Sequence, residues 1–238
     1  MDTQDKIIEA FSEMAPHYEK TVDAELDRFW GWRYEGFIDR LIKTTTIKED
    51  AAVLDVATGT AMIPLKINDL RKTRGRINGL DITMSMLSQA RQKILTKEAV
   101  NIDLVCGDGM SLPYAGAAFD VVICGLATHH MDVARLLAEL TRVLRHEGIL
   151  SIADVGSTAI WRLPGVKFLL RLAAFIYFIL HASLSRAWAE ALSISNIRSE
   201  ADWFSMLPQL GYKDISIVQL KSRFFWIPKP FVIHATKP

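Results

Sequence analysis

Asp55, Asp81 and Asp108 are the side chains of this sequence best spaced to hold a polar ligand. Each closes a short apolar run: Leu54-Asp55-Val56-Ala57-Thr58-Gly59-Thr60-Ala61, then Arg76–Leu80 ending on Asp81, then Cys106-Gly107-Asp108-Gly109-Met110. A small-residue turn that follows a strand and opens a helix lets backbone N–H groups approach a ligand closely. A dinucleotide would want G-x-G-x-x-G at the first turn. This turn has one glycine, Gly59, and sets a carboxylate at the strand end. That charge repels a pyrophosphate and suits a ligand carrying an ammonium group, which argues against a nicotinamide oxidoreductase. Asp81 is placed to accept from ribose hydroxyls, and Asp108 from an adenine amino group. Taken singly these residues read as strand-end caps. As a set they fit an adenosyl ligand with a cationic amino-acid tail.

The second group is His129-His130, on the loop after a fourth apolar run. Histidine titrates near neutral pH and suits proton removal, and both are candidate bases, His130 ranking ahead because it lies further from the strand. A packed core His beside a solvated one is the competing reading. Cys106 and Cys124 read as buried free thiols, since two unclustered cysteines make neither a disulfide framework nor a zinc site. No metal ligand set is expected.

The elements that must position these groups follow from periodicity. Residues 3–15 and 23–43 have helical spacing, the first closed by Pro16. From Ala52 the pattern alternates: strands at Ala52–Ala57, Arg76–Leu80, Ile102–Cys106, Phe119–Cys124 and Gly148–Val155, with helices at Ala61–Leu70, Met84–Leu95 and Asp132–Arg145 between them. That alternation implies parallel βαβ units in a sheet covered on both faces. A helix near Glu200–Leu210 and strands at Asp214–Leu220 and Phe231–Thr236 complete an α/β, Rossmann-like sheet of seven mostly parallel strands. Its domain organisation is read as one domain of 1–238: an N-terminal helical cap (1–48), a cofactor-binding core (49–155), a hydrophobic helical insertion (156–199) and a C-terminal helix with strands (200–238).

The segments LDVATGTA (54–61), GLDITMSML (79–87), GDGMSLPYAGAAFDVV (107–122) and LLAELTRVLRHEGIL (136–150) together resemble class I S-adenosylmethionine-dependent methyltransferases. The nearest likeness is to the ubiquinone/menaquinone biosynthesis C-methyltransferases. The resemblance implies S-adenosyl-L-methionine as cofactor, with Asp55, Ala57 and Gly59 around its methionine portion and Asp81 on the ribose. It implies Asp108 and Gly109 near the adenine, Ile82 and Met110 flanking that ring, and Gly125 and Leu126 lining the sulfonium. In similar enzymes an N-terminal segment closes over the cofactor, which puts Tyr18 above it. The chain departs from the pattern at Ala61, where a third glycine is common. It departs again at Gly125–Met131, which reads GLATHHM where the quinone enzymes carry a Gly-Leu-Arg-Asn-like segment, and at Arg145–Gly148, read as a changed loop.

The 238 residues carry 28 basic and 27 acidic side chains, a balance without the basic footprint of nucleic-acid binding. Half the residues are hydrophobic, and much of the excess sits in GVKFLLRLAAFIYFILHASL (165–184), where Leu172–Leu180 is free of charge. A single membrane span wants ~20 apolar residues, and one here would part the last two strands from the sheet. Three readings of 165–184 stay open: a buried lid helix over the active site, a face that touches the bilayer with Lys167, Arg171 and Arg186 near anionic headgroups, or a homodimer contact. A greasy lid implies a hydrophobic small-molecule substrate. The apolar 224–228 run either packs at the sheet edge or joins the same surface. An N-terminus without a signal-peptide pattern makes the expected location cytoplasmic, with a peripheral membrane contact if the second reading holds. The expected activity is methyl transfer to a hydrophobic small molecule, with quinol-type C-methylation ahead of O- or N-methylation. A non-catalytic cofactor-binding or membrane-surface module is the alternative of another class.

Overall fold

The computed structural model describes residues 3–71, 73–224, 227 and 229–238. Its sheet is built from β1 (Val53–Val56), β2 (Ile77–Asp81), β3 (Ile102–Cys106), β4 (Phe119–Gly125), β5 (Leu144–Asp154), β6 (Lys213–Gln219) and β7 (Phe231–Thr236). The spatial order is β3-β2-β1-β4-β5-β7-β6. β1 to β5 run parallel, and β7 pairs antiparallel with both β5 and β6. This is the expected Rossmann-like α/β sheet. Strand order reverses between β1 and β4, and in open α/β sheets ligands bind outside the carboxyl ends of strands at that switch point.

Side-chain alternation along the strands builds two apolar layers. Val53, Val121 and Ile123 face a layer completed by Phe37, Ile38, Leu41 and Ile42 of α3 (Tyr34–Thr44). Leu54, Val56, Val122 and Cys124 face the other, where Val133, Leu136, Leu137 and Leu140 of α6 (Val133–Val143) pack. Asp132 caps α6, its carboxylate accepting from the Ala134 and Arg135 amides. Between the strands run α4 (Met62–Arg71) and α5 (Met84–Thr96), and ahead of the sheet stand α1 (Thr3–Met14) and α2 (Tyr18–Trp30). The insertion forms α7 (Val166–His181) and α8 (Leu184–Ser193), followed by α9 (Glu200–Gln209), whose Ser199–Asp202 capping box sets its start.

Four local expectations are corrected. The helix expected over 23–43 is two helices, because Gly31 takes a left-handed φ of +74° that ends α2 in a C-cap. The loop expected at Arg145–Gly148 is part of β5, which takes up the extra residues as an irregularity opposite Phe119–Val121. Cys124 is buried as expected, but Cys106 is exposed; it ends β3, the edge strand, which is half open to solvent. The insertion carries two helices rather than one. The 224–228 stretch lies largely outside the described residues.

Candidate active site

The turn after β1 is wound by three left-handed residues, Ala57 (φ +59°), Gly59 (φ +55°) and Ala61 (φ +62°). For the two alanines this costs about 1–2 kcal/mol each, a strain held at the switch point where a ligand would approach. The winding turns the Gly59 N–H toward Asp81, whose Oδ2 accepts it at 2.8 Å, while Oδ1 accepts the Thr83 N–H at 2.8 Å. Asp81 is thereby fixed in orientation with lone pairs to spare. Its burial raises its pKa, the backbone N–H groups countering part of the rise. Asp108 accepts from the Met110 amide at 2.8 Å.

These residues wall a narrow slot at the carboxyl ends of β1, β2, β3 and β4. Of the expected cofactor residues, Tyr18, Ala57, Gly59, Asp81, Ile82, Asp108, Gly109, Met110, Gly125 and Leu126 all line it, as does His130. Gly109 stands where a Cβ would come within 2.8 Å of Val56 Cγ1 and 3.2 Å of Met131 Sδ, so only glycine lets the backbone run that close to the floor. Gln4, Ile7 and Phe11 of α1 close the slot from the N-terminal side. Asp55 is not among the lining side chains. It is fully buried behind the turn, and neither carboxylate oxygen has a hydrogen-bond partner. Burial pushes its pKa up to about 8, eased by the Thr58 hydroxyl and increased by Asp81. An unpartnered buried carboxylate next to a slot with two further acids at strand ends fits a ligand with a ribose, an exocyclic amine and a cationic tail.

A second cavity of about 430 Å³ adjoins the first. Phe11, Tyr18, Leu126 and His130 line both. Most of its wall is apolar, from Leu26, Phe29 and Trp30 of α2 to Leu170, Ala174 and Phe178 of α7. One end is charged. There Arg186 lies 3.1 Å from Glu25 and 2.9 Å from Glu190, its guanidinium 5.4 Å from the ring centres of both Phe11 and Phe178. Burial disfavours the guanidinium, but the two carboxylates outweigh it and raise its pKa. Removing the cation leaves two half-buried acids close to each other without it. Arg186→Met is therefore expected to destabilise the fold by about 3–5 kcal/mol, measured by denaturant unfolding, and Glu25→Gln with Glu190→Gln on that background should recover most of it.

His129 lines this second cavity. Its Nδ1 is 2.6 Å from Oδ1 of Asp154, a residue 1% exposed at the end of β5. Asp154 also accepts from the Thr128 hydroxyl and, at 2.7 Å, from the Val155 amide. Burial works against both charges. The Asp154 carboxylate nevertheless raises the His129 pKa, and His129 with the neighbouring donors lowers that of Asp154. The carboxylate thus holds a proton on Nδ1 and leaves Nε2 as the basic nitrogen. His130 differs: burial, His129 and Arg186 all push its pKa well down, its ring meets Phe11 edge-on at 5.0 Å, and its Nδ1 has no hydrogen-bond partner. His129, His130 and Glu190 converge within 4.8 Å, donor types that suit a metal, but the Arg186 guanidinium already stands beside Glu190 as its cation.

Asp154, Glu25 and Glu190 were not among the residues singled out from sequence; Arg186 was, as a headgroup contact in the bilayer reading, and is instead buried between Glu25 and Glu190. For Asp154 the signal was present: it ends the fifth strand, and the strand-end rule that found the first three acids extends to it. Arg186 and Glu190 stand four residues apart on α8, a spacing that was legible, but Glu25 comes from α2 and only the fold brings it to them.

Three comparisons bear on this site. A family model described as the ubiE/COQ5 methyltransferase family matches residues 2–177. A demethylmenaquinone methyltransferase of Lactobacillus johnsonii is 29% identical over 224 residues, covering 88% of this chain and 86% of that protein. One of Listeria monocytogenes is 28% identical over 166 residues, 69% of this chain and 67% of that one. The geranyl diphosphate C-methyltransferase of Streptomyces coelicolor, solved with Mg2+, geranyl diphosphate and S-adenosyl-L-homocysteine, shares the fold with a TM-score of 0.68 at 14% identity, covering 93% of this chain and 84% of that one.

Proposed function

The chain belongs to the ubiE/COQ5 methyltransferase family and is an S-adenosylmethionine-dependent methyltransferase, and we propose that it C-methylates a quinol-type acceptor bound in the apolar cavity, with His129 as general base and Asp154 as its positioning residue. The observation that carries this reading is the His129–Asp154 pair on the wall of a largely apolar cavity that shares Leu126 and His130 with the cofactor slot.

The bound cofactor supplies a methyl carbon already activated by a sulfonium. On this reading Asp81 would hold the ribose, Asp108 and Gly109 the adenine edge between Ile82 and Met110, and Ala57 and Gly59 the methionine portion, with Asp55 buried behind that turn rather than in the slot. Gly125 and Leu126 face the sulfonium, and Tyr18 covers it. An in-line displacement then needs alignment above all. Carbon is a weak nucleophile in a neutral quinol and a strong one in the phenolate. His129 Nε2 takes the hydroxyl proton, and the imidazolium so formed stays paired with Asp154; once methylated, the ring carbon gives up its own hydrogen as a proton to solvent, and the imidazolium returns the hydroxyl proton to the oxygen, which restores the aromatic ring and the free base. A cavity of 430 Å³ is within the ~300–1,000 Å³ range of small-molecule sites. Its charged end, at Arg186, Glu25 and Glu190, gives the acceptor's second oxygen a polar neighbour. His130, too weak a base when buried, packs between the two sites. The four chain segments 1–48, 49–155, 156–199 and 200–238 act together as one catalytic unit.

The test is a methyl-transfer assay with isotope-labelled cofactor. The acceptors are a reduced short-chain 2-prenyl-1,4-naphthoquinol, its oxidised quinone, a catechol and a primary amine, with the products located by NMR. Ring C-methylation of the quinol alone is expected. Methylation on oxygen or nitrogen, or equal use of the quinone, would show that proton removal from a quinol is not the step this site performs.

A further inference from the structure

We propose that the outer face of α7 is a membrane-docking surface, laying the wall of the apolar cavity against an anionic bilayer. The proposal rests on reading that cavity as the acceptor site.

Beyond Lys167 and Arg171 on its first turns and His181 at its end, α7 is apolar, and its two faces have different fates. Leu170, Ala174 and Phe178 turn inward and line the cavity. Phe168, Leu172, Ile176, Ile179 and Leu180 turn outward and are 44–73% exposed. Their spacing of three and four residues draws one continuous stripe along the helix, and no residue of α7 is buried. Soluble monomers seldom leave so large a contiguous apolar patch open to water. At 1.5 Å per residue the helix is about 24 Å long, shorter than a bilayer's hydrocarbon core, and no described helix is long and apolar enough to cross a membrane. A stripe of this length can lie in the interface instead.

Charge identifies the occupant. Between Asp154 and Glu190 the chain has no Asp or Glu, while Lys167 and Arg171 lie on α7 itself and Arg162 just before it. Arg162 is paired with Asp202 at 2.7 Å. Lys167 is on the cavity side of α7, where its Nζ donates to the Ser195 carbonyl at 3.5 Å, whereas Arg171, one turn on and nearer the stripe, has no carboxylate among the ion pairs of the described residues. A second copy of α7 laid on this stripe would bring cations and no acid to meet them. Anionic headgroups complement them, and acyl chains complement the stripe. Because the same helix forms the cavity wall, docking would bring a lipid-dissolved acceptor to the site through the α7–α8 hairpin.

The test is vesicle flotation of the full chain, with vesicles of phosphatidylcholine alone and of equal parts phosphatidylcholine and phosphatidylglycerol. Binding to the mixed vesicles is expected, at least tenfold weaker to the neutral ones. Leu172→Ser/Ile176→Ser/Leu180→Ser, and separately Arg171→Glu, should each lower binding several-fold or more. Both variants should keep wild-type calorimetric affinity for S-adenosylmethionine, which shows that they fold. Wild-type protein that ignores both vesicle types, or variants that bind as well as wild type, overturn the proposal. So does a wild-type dimer that the triple variant dissociates while vesicles stay unbound, which gives the face to a second copy. None of these readouts uses turnover, so failure here is separable from failure of the quinol reading.

Discussion

Asp154→Asn is expected to lower kcat about 10²–10⁴-fold, the range a positioned general base contributes, with little change in affinity for the cofactor. The amide keeps the shape but no longer stabilises an imidazolium, and it can leave the His129 proton on Nε2, where the base is needed. The pH profile gives the sharper readout. The His129 pKa is raised, burial being outweighed by Asp154. A base works only when deprotonated, so the wild-type rate should rise with pH through a value above the ordinary histidine range. In Asp154→Asn the upward push is gone, and the residual rate should rise at lower pH. A structural role for Asp154 alone would reduce stability and activity together and leave the limb in place. Stopped-flow or discontinuous assays from acid to mildly alkaline pH, with unfolding measured on the same samples, decide between these. An unchanged limb would remove His129 as the base.

Asp81→Asn carries the second large effect. Loss of hydrogen bonds to an ionised acceptor costs about 1.5–3 kcal/mol, so the Kd for S-adenosylmethionine should rise roughly 10–100-fold by calorimetry. At saturating cofactor kcat should stay within a few-fold, because the ribose is remote from the reacting carbon. Stability should move the other way or not at all. Burial raises the Asp81 pKa, so its ionisation weighs against the folded state as pH climbs above the ordinary carboxylate range, and an amide removes that cost. At mildly alkaline pH the ligand-free variant should therefore unfold no earlier than wild type. A large loss of stability would mean that the bonds to Gly59 and Thr83 hold the turn together, and unchanged affinity would mean that the ribose is held elsewhere.

What could be read along the chain was what local physics writes there. Asp55, Asp81 and Asp108 were legible because a strand, its terminal residue and the turn that follows are contiguous, and the apolar run that marks the strand also marks its end. The break at Gly31 was missed because the residues on both sides keep helical spacing, and only the backbone's left-handed turn separates them. Arg145–Gly148 was misassigned for a related reason: an irregularity inside a strand and a loop before it have the same composition.

The sequence alone therefore determined the sheet and the cofactor, and it named most of the residues that wall the slot at the switch point, since each rests on neighbours in the chain. Tertiary structure decided the rest. It chose His129 over His130 as the candidate base, because β4 and β5 lie side by side and bring Asp154 to one imidazole and not the other. It joined Arg186, Glu25 and Glu190 at one end of the cavity. It also decided which face of α7 lines the cavity and which meets solvent. Past its first turns α7 has no polar face to orient it, so the packing of α2 and α8 against it made that choice.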